Sequence, residues 1–289
     1  AALGGSSGNI AAGLARLGCG VSLLSRVSDD AVGRYAIAEC ERYGIKTDYV
    51  TLEKSEARTT LALSESRLEN CQTVIYRNNA ADFSMTDDDV ERVDWSRFAA
   101  LIFTGTSLAC EPSRAATFAA ISAARAANVT VIMDVDYRAY SWASLDEAKE
   151  ICGKAAVLTD ILVGNDDEFD VLNGTSGGAG RVHAEALAAN EDGPEVVVYK
   201  MGAEGSITYH EGRPINTGIF QVEALKPTGA GDAFMASLAH SMANSFSLHD
   251  AVLRGSAAAA IVVTRVGCAP AMPTSLELHD FMTQHTTTA

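Results

Sequence analysis

The runs Ala100-Leu101-Ile102-Phe103-Thr104 and Val129-Thr130-Val131-Ile132-Met133-Asp134, separated by an alanine-rich segment over 112–127, decide the fold class. Two unbroken apolar strands flanking an amphipathic helix make a βαβ unit, and strands apolar on both sides belong to a parallel sheet covered by helices on both faces. Toward the C-terminus the alternation continues. It gives a helix over 145–154, the strands Ile161-Leu162-Val163 and Val196-Val197-Val198-Tyr199, a hairpin around His210-Glu211-Gly212-Arg213, and helices rich in small residues over 233–242 and 247–265. The glycines of 174–180 lack the GxxxxGK[ST] spacing of a phosphate loop and read as a surface loop. Toward the N-terminus, Gly4-Gly5-Ser6-Ser7-Gly8-Asn9 feeds a helix with Ile10, Leu14 and Leu17 at helical spacing, ending at Gly18. A β-rich run over 21–27 and a helix over 32–43 follow. Residues 50–77 break the rhythm, because 58–64 and 73–77 both read as strands around a polar loop. The expected organisation is an α/β core over 1–49 and 81–289, with a small β-sheet lid over 50–80.

The chain has 289 residues, 47% of them hydrophobic, which suits one large α/β domain or a main domain with a small appendage. With 22 Lys and Arg against 37 Asp and Glu, the formal charge is −15, which argues against a nucleic-acid partner. An anionic small molecule would need local Arg or Lys to offset the overall repulsion. The six cysteines (Cys19, Cys40, Cys71, Cys110, Cys152, Cys268) form no CxxC pair and have no His at zinc-ligand spacing. They read as free thiols of a reducing compartment. No run approaches the ~20 apolar residues of a membrane span, and no charged segment precedes an apolar one at the N-terminus, so cytoplasm is the expected location.

The chemistry concentrates in Pro227-Thr228-Gly229-Ala230-Gly231-Asp232-Ala233-Phe234, a glycine turn that opens a helix beside one carboxylate. Free N–H groups at a helix start stabilise phosphate or a developing oxyanion, and Asp232 is placed to accept a proton from an attacking hydroxyl. Read locally, the same residues equally describe a plain helix start. Asn165-Asp166-Asp167-Glu168 follows the strand 161–163, putting hard oxygens at a strand's carboxyl end, where open sheets bind ligands and water-held Mg²⁺ is at home. Lys200-Met201-Gly202-Ala203-Glu204-Gly205 also follows a strand, as a close backbone approach to a nucleotide or as a hairpin turn. Arg77 and Arg138 each sit beside a tyrosine at a strand end; converging, they would grip a carboxylate, and apart they would be surface ion-pair partners.

Gly4-Gly5-x-x-x-Asn9, Asn165-x-x-Glu168, Lys200-x-Gly202-x-x-Gly205 and Gly229-Ala230-Gly231-Asp232 resemble, in order and approximate spacing, the motifs of the ribokinase-like (PfkB) sugar kinases, over essentially the whole chain. The resemblance implies a three-layer ribokinase-like fold with a mostly parallel sheet, a β-sheet lid, and a nucleotide site in the 81–289 part of the core. It implies ATP with Mg²⁺ as phosphoryl donor, and leaves a monovalent cation and a homodimer through the lid open. By the same analogy Asp232 is the base and the amides of Gly229, Ala230 and Gly231 form the anion hole. Gly5 and Asn9 would contact the sugar, Lys200, Gly202 and Gly205 the nucleotide, while Asn165 and Glu168 organise phosphate and Mg²⁺, Glu168 through water.

Tyr76-Arg77-Asn78-Asn79-Ala80-Ala81-Asp82, Asp134-Val135-Asp136-Tyr137-Arg138-Ala139-Tyr140-Ser141-Trp142 and Leu225-Lys226-Pro227-Thr228 look like the inositol-catabolism branch, the 5-dehydro-2-deoxygluconokinases, which phosphorylate a keto-deoxy sugar acid at its terminal hydroxyl. The two arginines would then bind its carboxylate. Kinases of 2-keto-3-deoxygluconate or of other sugars, and a non-catalytic sensor on the same fold, are the alternatives. Lys226-Pro227 replace the Asp-Thr of many family members, and Ala139 replaces a common Pro. The family also has a strand and a sugar-contacting Asp ahead of Gly4; the expectation is that this segment has been lost ahead of Ala1 rather than that the fold dispenses with it.

Overall fold

In the central strands neighbouring residues point to opposite faces, and both faces are covered. Val131, Met133, Leu162 and Val197 enter one hydrophobic core, whereas Ile132, Ile161, Val163, Val196 and Val198 enter the other. The computed structural model describes residues 1–64, 73–175, 177–226 and 228–287. Its elements begin with α1 (Ser6–Arg16), β1 (Ser25–Ser28), α2 (Ala31–Arg42), β2 (Val50–Glu53), β3 (Leu61–Ser64), β4 (Thr73–Tyr76) and α3 (Asp87–Glu91). The middle of the chain supplies β5 (Ala100–Thr104), α4 (Ser113–Ala126), β6 (Thr130–Asp134), α5 (Leu145–Ala156), β7 (Ile161–Asn165), α6 (Asp166–Asn173) and α7 (Gly180–Ala188). The last part supplies β8 (Val196–Lys200), β9 (Ser206–His210), β10 (Arg213–Thr217), α8 (Ala230–Ala243), α9 (Leu248–Val263) and α10 (Ser275–Gln284).

The main sheet runs β10-β9-β8-β7-β6-β5, parallel from β5 to β8, with β9 and β10 antiparallel at one end. Helices α4 to α7 cover one face, and α1, α8 and α9 the other. The α1–α8 approach is close: a side chain at Gly13 would come within 2.7 Å of the Ala236 Cβ. That contact sets the two helix starts side by side.

Two small sheets stand apart. β1 pairs in parallel with β2, and β3 pairs antiparallel with β4; an isolated bridge, Ser22 to Lys46, extends the first pairing, so the run expected over 21–27 lies in the small sheet, with Val21 and Leu23 packed against α1. Leu61 opposes Tyr76 and Leu63 opposes Val74, giving the hairpin one exposed apolar face. The polar loop between these strands, Cys71 and Pro227 lie outside the described residues. Helices α6, α7 and α10 occupy stretches that the apolar pattern left unassigned. The 174–180 segment, apart from Ser176, which is also outside the described residues, is tied down by Asp170, whose carboxylate accepts the N–H groups of Gly177, Gly178 and Gly180. Among the described residues no helix is long and apolar enough to cross a membrane.

Candidate active site

Helix α8 starts on Gly229, whose φ of 89° is costly for any residue with a Cβ. A side chain there would also lie 3.0 Å from Cys268 Sγ. The first intrahelical bond runs from Ala233 N–H to Gly229 O, so the N–H groups of Ala230, Gly231 and Asp232 are the free donors of the first turn. Lys226 braces the turn before it by donating to Thr228 O. Against Asp232 stands Asn9, on the second turn of α1, whose Nδ2 donates to Asp232 Oδ2 at 2.8 Å. Gly5 is the N-cap of α1, and its carbonyl accepts the Asn9 N–H. Asn9 is buried, and its Oδ1 has no partner among the described residues. A donor such as a substrate hydroxyl would satisfy it.

The carboxyl ends of β6, β7 and β8 supply the rest. Asp134 closes β6, and two residues on Asp136 adopts a left-handed backbone, φ 38°. That conformation costs on the order of 1 kcal/mol, and two short contacts offset it: Ser6 Oγ to Asp136 Oδ2 at 2.5 Å and Arg138 Nη2 to Asp136 Oδ1 at 2.6 Å. Lys200, at the end of β8, places Nζ 3.9 Å from Asp134 Oδ1 and above the Phe234 ring of α8. Asn165 ends β7 and caps α6: its Oδ1 accepts the Glu168 N–H, and Glu168 Oε2 accepts the Asn165 N–H.

Three buried carboxylates, Asp134, Asp136 and Glu168, and the partly buried Asp232 thus face two cations, Lys200 and Arg138. Burial pushes Asp232 up to about 7; the Asn9 hydrogen bond and Arg138 oppose this, and Asp136 and Asp134 add to it. Burial likewise pushes Glu168 up to about 7 despite Lys200. Lys200 is mostly buried and Arg138 is 44% exposed, and the surrounding carboxylates hold both above their ordinary values. The cluster is short of positive charge.

Gly202 (φ 56°) and Gly205 (φ 89°) form the turn from β8 into β9. Gly205 is needed by the hairpin itself, since a Cβ would strike Thr217 O at 2.3 Å, whereas open space adjoins Gly202. Arg77 lies beyond the cluster. Its guanidinium is held by Asp82, at 2.6 Å, over the Phe83 ring and against Thr106 O. Burial raises the Tyr140 hydroxyl above its ordinary value, and Arg138 and Arg77 both oppose this. Arg77, Phe83, Arg114, Tyr140 and Glu147 line a cavity of about 680 Å³. A second hollow of about 700 Å³, bordered by Thr130, Ile161 and Val196, lies at the opposite ends of the strands and holds none of these groups.

Sequence reading had not singled out Ser6, Asp82 or Tyr140 as site residues. Asp134 and Asp136 had a signal, carboxylates closing an apolar strand at its carboxyl end. Ser6 had none.

The sequence profile described as pfkB family carbohydrate kinase matches residues 2–275. The chain belongs to this family. As a PfkB carbohydrate kinase it is similar to a protein named 5-dehydro-2-deoxygluconokinase from Photobacterium profundum, 39% identical over 283 residues, covering 97% of this chain and 85% of the relative. A 5-dehydro-2-deoxygluconokinase from Geobacillus kaustophilus is 35% identical over 285 residues, with coverage of 98% and 85%. Among solved structures, a double-mutant fructokinase from Vibrio cholerae O395 in fructose-, ADP- and potassium-bound form superposes with a TM-score of 0.86 at 24% identity, covering 96% of this chain and 90% of the other. The aminoimidazole riboside kinase from Salmonella enterica, complexed with aminoimidazole riboside and an ATP analog, gives 0.82 at 24%, with coverage of 96% and 91%. At these identities the structural likeness speaks for the ribokinase-like fold.

Proposed function

We propose that this PfkB kinase transfers the terminal phosphoryl group of ATP to the terminal hydroxyl of a keto-deoxy sugar acid, 5-dehydro-2-deoxygluconate, with Asp232 as general base. The observation that carries the reading is the hydrogen-bonded Asn9–Asp232 pair beside the free N–H groups of α8. Asp232 is poised near neutrality, where a carboxylate is still half ionised yet basic enough to take a hydroxyl proton. Asn9 holds it by one oxygen, leaving the other for the acceptor. The Gly229-Ala230-Gly231 turn offers its donors to the negative charge of the transferring group. Asn9 Oδ1 and Gly5 border the sugar, and Arg138 and Arg77, both near enough to Tyr140 to act on it, answer its carboxylate.

The donor set suits a nucleotide accompanied by a divalent ion. Lys200 Nζ lies 3.6 Å from where a Gly231 Cβ would be, which puts its charge beside the turn for a phosphate to meet. Among the described residues no three carboxylate, thiol or imidazole groups converge into a metal cage, which fits Mg²⁺ held mainly by phosphates and water with Glu168 and Asn165 outside that shell. When bound, the ion supplies the positive charge that the four-carboxylate cluster lacks. Gly202 and Gly205 border the nucleotide; a monovalent cation is a further candidate near this site.

The 50–80 segment serves as the lid, and the exposed face of Leu61, Leu63, Val74 and Tyr76 supports its pairing with the lid of a second copy. Cytoplasmic action suits the free thiols, two of which, Cys40 and Cys152, are pushed by burial up to about 11 and about 12 and kept unreactive.

The test is ADP release from MgATP with 5-dehydro-2-deoxygluconate, 2-keto-3-deoxygluconate, fructose and ribose. The highest kcat/KM on the first is expected. Preference for another sugar reassigns the acceptor pocket while keeping Asp232, and no turnover with any of them removes the catalytic reading.

A further inference from the structure

Asp82 sits in the short turn Ala81–Ser84, on the core side of the β3–β4 hairpin. Its Oδ1 accepts from Thr60 Oγ1 at 2.9 Å, and its Oδ2 accepts from Arg77 Nε at 3.2 Å and Arg77 Nη2 at 2.6 Å. Thr60 is the residue before β3, and Arg77 is the residue after β4. One carboxylate therefore grips both feet of the hairpin. Around it the backbone is tied as well: Arg58 N–H donates to Asn79 O at 3.0 Å, and Ala81 N–H donates to Arg58 O at 2.9 Å. Ala80 and Ala81 are buried, so the ground beneath the hairpin is fixed.

The same contacts dictate how Arg77 is presented. Its Nε and Nη2 are spent on Asp82 and on Thr106 O, and the guanidinium lies 4.1 Å from the centre of the Phe83 ring. Nη1 has no partner among the described residues, and Arg77 shares its cavity with Tyr140. An exposed ion pair leaves a guanidinium free to swing and contributes little. This one is mostly buried, with side-chain exposures of 16% for Arg77 and 27% for Asp82, stacked on a ring and bonded along one edge.

We propose that Asp82 is a positioning residue that locks the lid hairpin to the core and holds Arg77 with its Nη1 edge free for the substrate. The proposal rests on reading the protein as a sugar-acid kinase. Asp82 does not touch the reacting atoms. Its carboxylate fixes the lid's stance and so sets the place of the arginine that meets the acid.

The test has two arms. In the resting protein, hydrogen exchange is followed at the amides of residues 60–63 and 74–77. Asp82→Ala, and more mildly Thr60→Val, should speed it about tenfold or more without altering exchange in α8. In turnover, Asp82→Ala should raise KM for the sugar acid by about tenfold with KM for MgATP changed less than about twofold. In an Arg77→Ala background the same change should have little further effect, because both act through one contact. Asp82→Asn, which still accepts from Thr60, should restore the exchange rates while recovering KM only in part. Unchanged exchange in the hairpin, or additive losses in the double variant, would overturn the proposal. Absence of sugar-acid turnover in the unmodified enzyme would instead fail the functional reading, and the exchange arm would still report on the latch.

Discussion

At the residue scale, the raised Asp232 pKa ties catalysis to stability. A carboxyl group titrating near 7 in the folded protein and near 3.8 unfolded stabilises the fold below the lower value, and that stability is lost as pH rises through the higher one. Asp232→Asn should therefore be more stable than the unmodified enzyme, by a margin that grows from about pH 4 to about pH 7 and then levels at a few kcal/mol. Urea titrations across that range check it; a margin independent of pH would contradict the buried charge. The same substitution should lower kcat by about 10²–10⁴ with little change in nucleotide affinity. In the unmodified enzyme, kcat/KM should rise through about pH 7 to a plateau. Because Glu168 is pushed to a similar value, the observed midpoint belongs to the coupled carboxylates rather than to one of them. These groups were half legible in the sequence. Asp232 announced itself by the glycines before it, but the partners that shift it are far along the chain, and only folding brings them near.

At the element scale, the site depends on how closely α1 meets α8. Gly13 lies one turn beyond Asn9, against Ala236 one turn beyond Asp232. Gly13→Val should push the helices apart, cost about 1–3 kcal/mol in urea unfolding, and lower kcat more than it raises either KM; stability loss with kcat intact would separate packing from catalysis. The strands and long helices were readable because apolar period and glycine stops are local. Helix α10 carried a readable start, the Thr274-x-x-Glu277 capping box, in which burial is outweighed by the Thr274 donors and Arg265 so that Glu277 falls to about 2. Its apolar residues, Leu276, Leu278, Phe281 and Met282, are four of ten and leave the pattern weak. The β-rich run over 21–27 would fit any sheet, and only the pairing of β1 with β2 assigns it to the small one.

At the scale of the whole molecule, the exposed lid face predicts association. Leu63→Glu with Val74→Glu should shift the sedimentation mass from two chains to one, while leaving a monomeric species folded; a single-chain mass for the unmodified protein would remove the dimer proposal. Nothing local in the sequence distinguished this face from a buried one, since alternation marks an apolar side without saying what covers it. The Asn9–Asp232 bond joins positions 223 residues apart. During synthesis, then, the glycine turn that opens α8 emerges only after every strand of the main sheet, and Asp232 meets its amide partner last. Under the proposed function, a nascent chain that stops short of α8 has neither the base nor the turn of free N–H groups, so a finished sheet is still an inactive one.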